Sequence, residues 1–187
     1  METTYEYSLS VKGIKELKSK IQNFKQDLSS EEFIYYLCKK CYDELNQVTS
    51  EKLNSDDDGM YFHTYRTSHQ KAIIDNDIYL WNETMIDLSS LSEETRAKYP
   101  SGLSLAKVVE YGTGIVGANS EASKVAKDWK YDVNNHGNKG WFYVDSSGSL
   151  RWSKGIHGRL IFYETKRRIE EKINQWVNEY FQKKLGE

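Results

Sequence analysis

A single proline, Pro100, punctuates 187 residues. Almost nowhere does a fixed φ or a missing N–H forbid a long helix or strand. Cysteine is nearly as scarce, with only Cys38 and Cys41, which excludes a scaffold held by a framework of disulfides. The four histidines, His63, His69, His136 and His157, stand at no H-E-x-x-H or H-x-x-x-H spacing, and no G-x-S-x-G nucleophile elbow occurs. No apolar run approaches the ~20 residues that a bilayer-spanning helix needs. The opening "METTYEYSLS" has neither the basic nor the apolar region of a signal peptide, so synthesis and folding in a cytoplasm are expected. Charge of one sign is lacking as well. Lys and Arg number 26 against 28 Asp and Glu, a net charge of −2, without the basic footprint of a nucleic-acid binder.

Aromatic residues are abundant instead, with fourteen Tyr, five Trp and six Phe. Disordered chains are poor in such residues, whereas half-buried surfaces and protein–protein interfaces are rich in Tyr and Trp. The length fits one domain over residues 1–187, with a Gly-, Asn-, Ser- and Lys-rich loop at about 112–139.

The hydrophobic pattern orders the elements. Tyr5 to Val11 alternates as a short strand does, and Ile14, Leu17, Ile21, Phe24 and Leu28 repeat at helical spacing. Ser29 with Glu32 forms a capping box, which predicts a second helix whose apolar stripe is Ile34, Leu37, Cys38, Cys41, Leu45 and Val48. After a polar break at Asn54–Gly59, the β-branched and aromatic segments Met60–Arg66, Gln70–Ile74 and Ile78–Trp81 predict strands, the last two joined by a tight turn at Asp75–Asp77. Leu88–Ser101 reads as a loop with a helical turn. Leu103 to Tyr111 reads as a short helix ended by Gly112. Trp141–Val144 and Leu150–Trp152 form a hairpin closed by "DSSG". The C-terminal segment is a long helix with the stripe Ile169, Ile173, Trp176, Val177, Tyr180 and Phe181, and with Glu164 and Arg168 as an i,i+4 pair on its outer face. Together these predict an α+β fold, an antiparallel β-sheet packed by N-terminal helices and a long C-terminal helix.

Several motifs point to chemistry, and each has a plainer explanation. Gly112, Gly114 and Gly117 match G-x-G-x-x-G, but a dinucleotide turn follows a strand and opens a helix. Here a helical pattern precedes the glycines and a polar loop follows, so Gly112 stops a helix and Gly114 lets the chain turn away. "NSDDDG" begins like a calcium loop, yet Tyr65 stands where the closing Glu should be. The C-x-x-C of Cys38 and Cys41 falls within a helix on its apolar stripe, as buried thiols do. His63 and His69, on neighbouring strands near the acidic residues 56–58, are the basis of one alternative, a metal-dependent hydrolase. Arg151, Lys154, Arg159, Lys166, Arg167 and Arg168 are the basis of another, a nucleic-acid-binding module, though Glu164, Glu170 and Glu171 interleave with them. No catalytic, cofactor-binding or metal-ligating residue is nominated. Trp141, Phe142, Tyr143, Trp152, Phe162 and Tyr163 form a dense aromatic set. A hairpin with aromatics on both faces needs a covering for one of them, from a partner subunit or from a loop of the same chain.

"VKGIKEL" near the N-terminus, the run Glu110, Tyr111, Gly112, Thr113 and Gly114, and the apolar–aromatic turn Leu160–Tyr163 before the last helix resemble the tail-component family of long-tailed bacteriophages. These are minor structural proteins at the head–tail junction. Family members often carry Pro-Phe where this chain has Leu160 and Ile161. The resemblance implies a non-enzymatic virion protein, made in the host bacterial cytoplasm, that completes the tail or joins it to the head as an oligomer. Its partners would be other virion proteins (a connector, tail tube or tail terminator) or further copies in a ring. No cofactor, no membrane and no sequence-specific nucleic acid is implied. Glu110, Tyr111, Trp141, Tyr143 and Trp152 are the expected interface residues.

Overall fold

The computed structural model describes residues 30–53, 60–86, 89, 93–98, 102–129, 139–144 and 149–185. The fold is α+β, with small antiparallel sheets and a long C-terminal helix. The expected strand at Tyr5–Val11, the first helix and the break at Asn54–Gly59 lie outside the described residues. So do acidic residues 56–58. The chain divides into two compact units.

The first unit takes residues up to 51, 69–82, and from 161 onward. Helix α1, Ser30–Lys52, buries the whole stripe expected of it, from Ile34 to Val48. Cys38 and Cys41 belong to that face as free, buried thiols. Desolvation raises both thiol pKa values, that of Cys41 to about 12, so neither is a thiolate at neutral pH. The final helix, Ile161–Leu185, runs antiparallel to α1. Ion pairs mark the register: Lys184 with Glu32 at 2.9 Å, Lys40 with Glu179 at 3.3 Å, Lys172 with Glu44 at 2.6 Å, and Arg168 with Glu51 at 2.5 Å. Phe33 meets the Tyr180 ring at 5.0 Å, which closes one end of the apolar seam.

The same unit holds a hairpin of β1, His69–Ile74, and β2, Asp77–Asn82, paired from His69↔Asn82 to Ile74↔Asp77. The two-residue tip has positive φ at Asp75 (50°) and Asn76 (66°), as a type I′ turn requires, and Asp and Asn tolerate that conformation. Ile78, Leu80 and Asn82 are buried while their neighbours are not, so β2 shows the period-two pattern of a half-buried strand.

The second unit comprises 52–68 and 83–160. Here one expectation fails. Met60–Arg66 is not a strand but the larger part of helix α2, Met60–Thr67. Tyr65 is wholly buried and Phe62 half-buried, three positions apart, while His63 and Thr64 face solvent. One helical face therefore captures the apolar contact, and β propensity yields to it. The Thr67 and Ser68 hydroxyls donate to the His63 and Thr64 carbonyls and close its last turn. Strand β3, Met85–Ile86, pairs with β4, Leu103–Ser104, and α3, Glu93–Lys98, lies between them in sequence. Ser104 then caps helix α4, Leu105–Tyr111, by accepting from the Lys107 N–H at 3.2 Å.

Residues 112–129 hold regular elements where a loop was expected. They contain strand β5, Gly112–Thr113, and helices α5, Gly114–Ala118, and α6, Ala122–Val125. Residues 130–138 lie outside the described residues. Strand β6, Trp141–Val144, pairs with β7, Leu150–Ser153, as expected, and β8 follows at Gly155–His157. The C-terminal helix of the first unit is α7.

Candidate functional site

The second unit brings together two segments that stand about forty residues apart in sequence. Glu110–Gly114 lies against Gly155–Leu160. Gly112 pairs with His157 and Thr113 with Ile156, and Gly114 bridges to Gly155. The last turn of α4 leaves carbonyls without helical partners. The Val109 carbonyl accepts from Arg159 N–H at 2.9 Å and the Glu110 carbonyl from Leu160 N–H at 3.0 Å. The Trp129 indole N–H donates to the Gly112 carbonyl at 2.8 Å, and its ring packs 5.8 Å from that of Tyr111.

This crossing decides what the glycines do. Gly112 has φ +83° and ψ −178°, a region open essentially to glycine alone, and its N–H returns to the Val108 carbonyl. Gly155 has φ +107°, and a Cβ there would stand 1.9 Å from the Thr113 carbonyl oxygen. The backbones approach too closely for any side chain. These glycines terminate a helix and admit a second chain segment, which leaves no cradle open for a phosphate. A Gly155→Ala variant should lose at least about 2 kcal/mol of stability, because strained φ and a backbone clash add. Denaturant titration would check this.

Leu160 makes the turn into the last helix with φ +51°, unusual for a non-glycine residue. A proline there would be held near −65° and would have no N–H for Glu110. The backbone at this position therefore has no room for proline.

The surface next to this crossing is apolar. The β6–β7 register sets Phe142 opposite Trp152 and Val144 opposite Leu150. Phe142 is 61% exposed, Leu150 66% and Trp152 48%. The Phe142 and Trp152 rings meet edge to face at 4.6 Å, so the pair is preformed while still open to solvent. An isolated two-stranded ribbon is marginal in water, and an exposed aromatic pair on one is an uncommon feature of a monomer's surface.

The five expected interface residues fall in different settings. Trp152 is on the exposed face. Trp141 and Tyr143 lie on β6 across from Ser153 and Arg151; only their strand positions belong to the described part. Tyr111 is half-buried under Trp129, and Glu110 is buried. The Tyr65 phenol, which shares that interior, has its pKa raised well above the ordinary value by burial and by Glu110. Of the wider aromatic set, Phe162 is buried and Tyr163 is half exposed.

His63 and His69 are not on neighbouring strands. His63 sits on α2, exposed, and His69 opens β1, buried. Its Nε2 lies 2.8 Å from the Thr49 hydroxyl and its Nδ1 3.1 Å from the Asn82 amide nitrogen. Thr49 already donates to the Leu45 carbonyl, so it accepts from His69. That assigns the proton to Nε2 and leaves Nδ1 to accept from Asn82. Both ring nitrogens are engaged in core hydrogen bonds. No group of three His, Cys, Asp or Glu among the described residues could hold a metal ion.

Half of the basic cluster, Lys166, Arg167 and Arg168, is paired with carboxylates on α7. Arg167 meets Glu164 at 2.7 Å and Glu171 at 2.5 Å, Arg168 meets Glu164 at 3.0 Å, and Lys166 meets Glu170 at 3.9 Å. The hydrogen bond from Arg167 leads in holding the Glu164 pKa down to about 2. Arg168 faces α1 through Glu51, so it is a strut between helices rather than part of the outer face. No helix among the described residues is long and apolar enough to cross a membrane.

No family model, no curated protein and no solved structure matches this chain.

Proposed function

We propose that this chain is a non-enzymatic structural protein of a long-tailed bacteriophage virion, acting at the head–tail junction to complete the tail or join it to the head. The observation that carries the proposal is the exposed Phe142–Trp152 pair with Leu150 on the β6–β7 hairpin. Such a surface gains free energy when another surface covers it, and a partner protein is one such covering. The resemblance adds to this. Its Glu-Tyr-Gly-Thr-Gly run and the segment before the last helix are hydrogen-bonded to one another, so those motifs have an architectural role, supporting the unit from which the hairpin projects.

The function follows from surface contacts. Neighbouring virion subunits bury the hairpin face, and preformed aromatic side chains lose little conformational freedom in doing so. A Phe142→Ser, Trp152→Ser variant tests this. It should abolish joining, leaving separate heads and tails in electron micrographs. Its melting temperature should stay within about 2 °C of the parent, since exposed substitutions rarely change stability by more than ~0.5 kcal/mol. Normal tailed particles carrying the double variant would refute the proposal.

A further inference from the structure

We propose that the His69 imidazole is an acid-sensitive latch within the first unit. As a neutral ring it holds together the chain ends of that unit, and a second ring proton parts them. The inference does not depend on the assembly role proposed above.

The first unit is built from separate stretches of chain, which leave or enter it at Glu51, His69, Asn82 and Ile161. The His69 side chain reaches all of these places. Thr49, just before Glu51, has its hydroxyl 2.8 Å from Nε2. Asn82 has its amide nitrogen 3.1 Å from Nδ1. Phe162, next after Ile161, meets the imidazole edge to face with 5.8 Å between ring centroids. All of these side chains are buried. His69 is the only buried residue of β1, and its carbonyl accepts from the Tyr42 phenol at 3.0 Å. One ring therefore fastens the start of β1, the end of β2, the last turn of α1 and the first turn of α7.

The setting suits a neutral ring. A charged imidazole carries two N–H donors. The Thr49 oxygen takes the proton of Nε2, but a proton on Nδ1 meets the N–H of Asn82, and a buried donor facing a donor is costly. Burial opposes the charge as well and lowers the pKa to about 4. The ionisable groups on the surrounding elements are engaged with one another. On α1, Tyr42 holds the His69 carbonyl and Glu51 binds Arg168 of α7. Lys71 of β1 lies over the Tyr42 ring, 4.4 Å from its centroid, and Glu164 of α7 is held by Arg167 and Arg168. A charged ring is thus stabilised by reaching water, which requires the ends around it to separate. Phe33 and Tyr180 close the opposite end of the helix pair, about four turns away along α1, and take no part in this network.

Nuclear magnetic resonance of the isotope-labelled full chain, from pH 7 to pH 4, tests the latch. At pH 7 the ring should carry its proton on Nε2. As it gains the second, backbone signals of residues 49–51, 69–70, 81–82 and 161–163 should move together. The shifted share should rise about tenfold per pH unit toward a midpoint of about 4. Signals of Phe33, Leu37 and Tyr180 should stay in place. His69→Gln should remove the midpoint from all of these stretches. Asn82→Asp sets an acceptor opposite Nδ1, so the midpoint should rise by at least about one pH unit and the ends should stay together around the charged ring. Movement of the Asn82 side-chain amide alone would mean that the amide turns over and nothing parts, which overturns the inference. Loss of all native signals in the same step as the His69 titration would overturn it too, as would ends that part equally in Asn82→Asp.

Discussion

Leu37→Ala should destabilise the first unit by about 3 kcal/mol, the cost of removing a fully buried leucine whose surroundings cannot collapse into the space. Leu37 has no exposed surface and sits at the middle of the apolar seam of α1. For a chain of this size, such a loss corresponds to a fall in melting temperature of roughly 10 °C. Two positions earlier on the same helix, Tyr35 is 67% exposed, and Tyr35→Ala should change stability by less than ~0.5 kcal/mol. The pair of variants reads out which side of α1 is the seam. Equal effects would mean that the helix is not packed as described. Urea midpoints with unchanged slopes would confirm that stability alone has moved.

The second large effect is a loss of stability on mild acidification, traced to His69. Burial lowers its pKa from 6.5 to about 4. The unfolded chain therefore binds a proton at this site between those values while the folded chain does not. Stability is fully present above pH 6.5 and is lost as pH falls toward 4. At ~1.4 kcal/mol per pH unit, the loss has a ceiling of about 3.5 kcal/mol, about 2.5 of it above pH 4.5. The hydrogen bonds give the physical reason. With Nε2–H donating to Thr49, a proton on Nδ1 would face the Asn82 amide N–H, unless that amide turned over. The depressed carboxylates Glu51, Glu164 and Glu179 have values below their ordinary 4.5, so they act in a lower pH window. A His69→Gln variant should flatten the stability profile between pH 6.5 and 4.5 whatever its own cost in stability. A slope unchanged in that variant would contradict the assignment.

Much of the first unit is legible in the sequence because its signals are local. The stripe from Ile34 to Val48 and the stripe from Ile169 to Tyr180 each repeat at helical period, and a Ser-Glu capping pattern precedes the first. The Asp75–Asn76 turn announces the β1–β2 hairpin, since few other residue pairs accept two positive φ values. The α+β class follows from these alone. Met60–Thr67 was not legible: its Tyr, Phe and Thr favour a strand in isolation, and only the burial of Tyr65 selects the helix. The order within residues 112–129 was hidden too. Its hydrogen bonds to residues 154–157 and its packing under Trp129 are contacts that no window of sequence contains. His69 misleads for the same reason, because its partners Thr49 and Asn82 are distant in sequence. The aromatic hairpin was foreseen, but which of its rings face solvent depends on what packs nearby, and Glu110 proves to be interior.

Electron microscopy of virions produced without this chain tests most directly whether its work is to join parts. Filled heads and free tails, side by side and unattached, are the predicted result, with joining restored on adding back the purified protein. Intact tailed particles in its absence would contradict it.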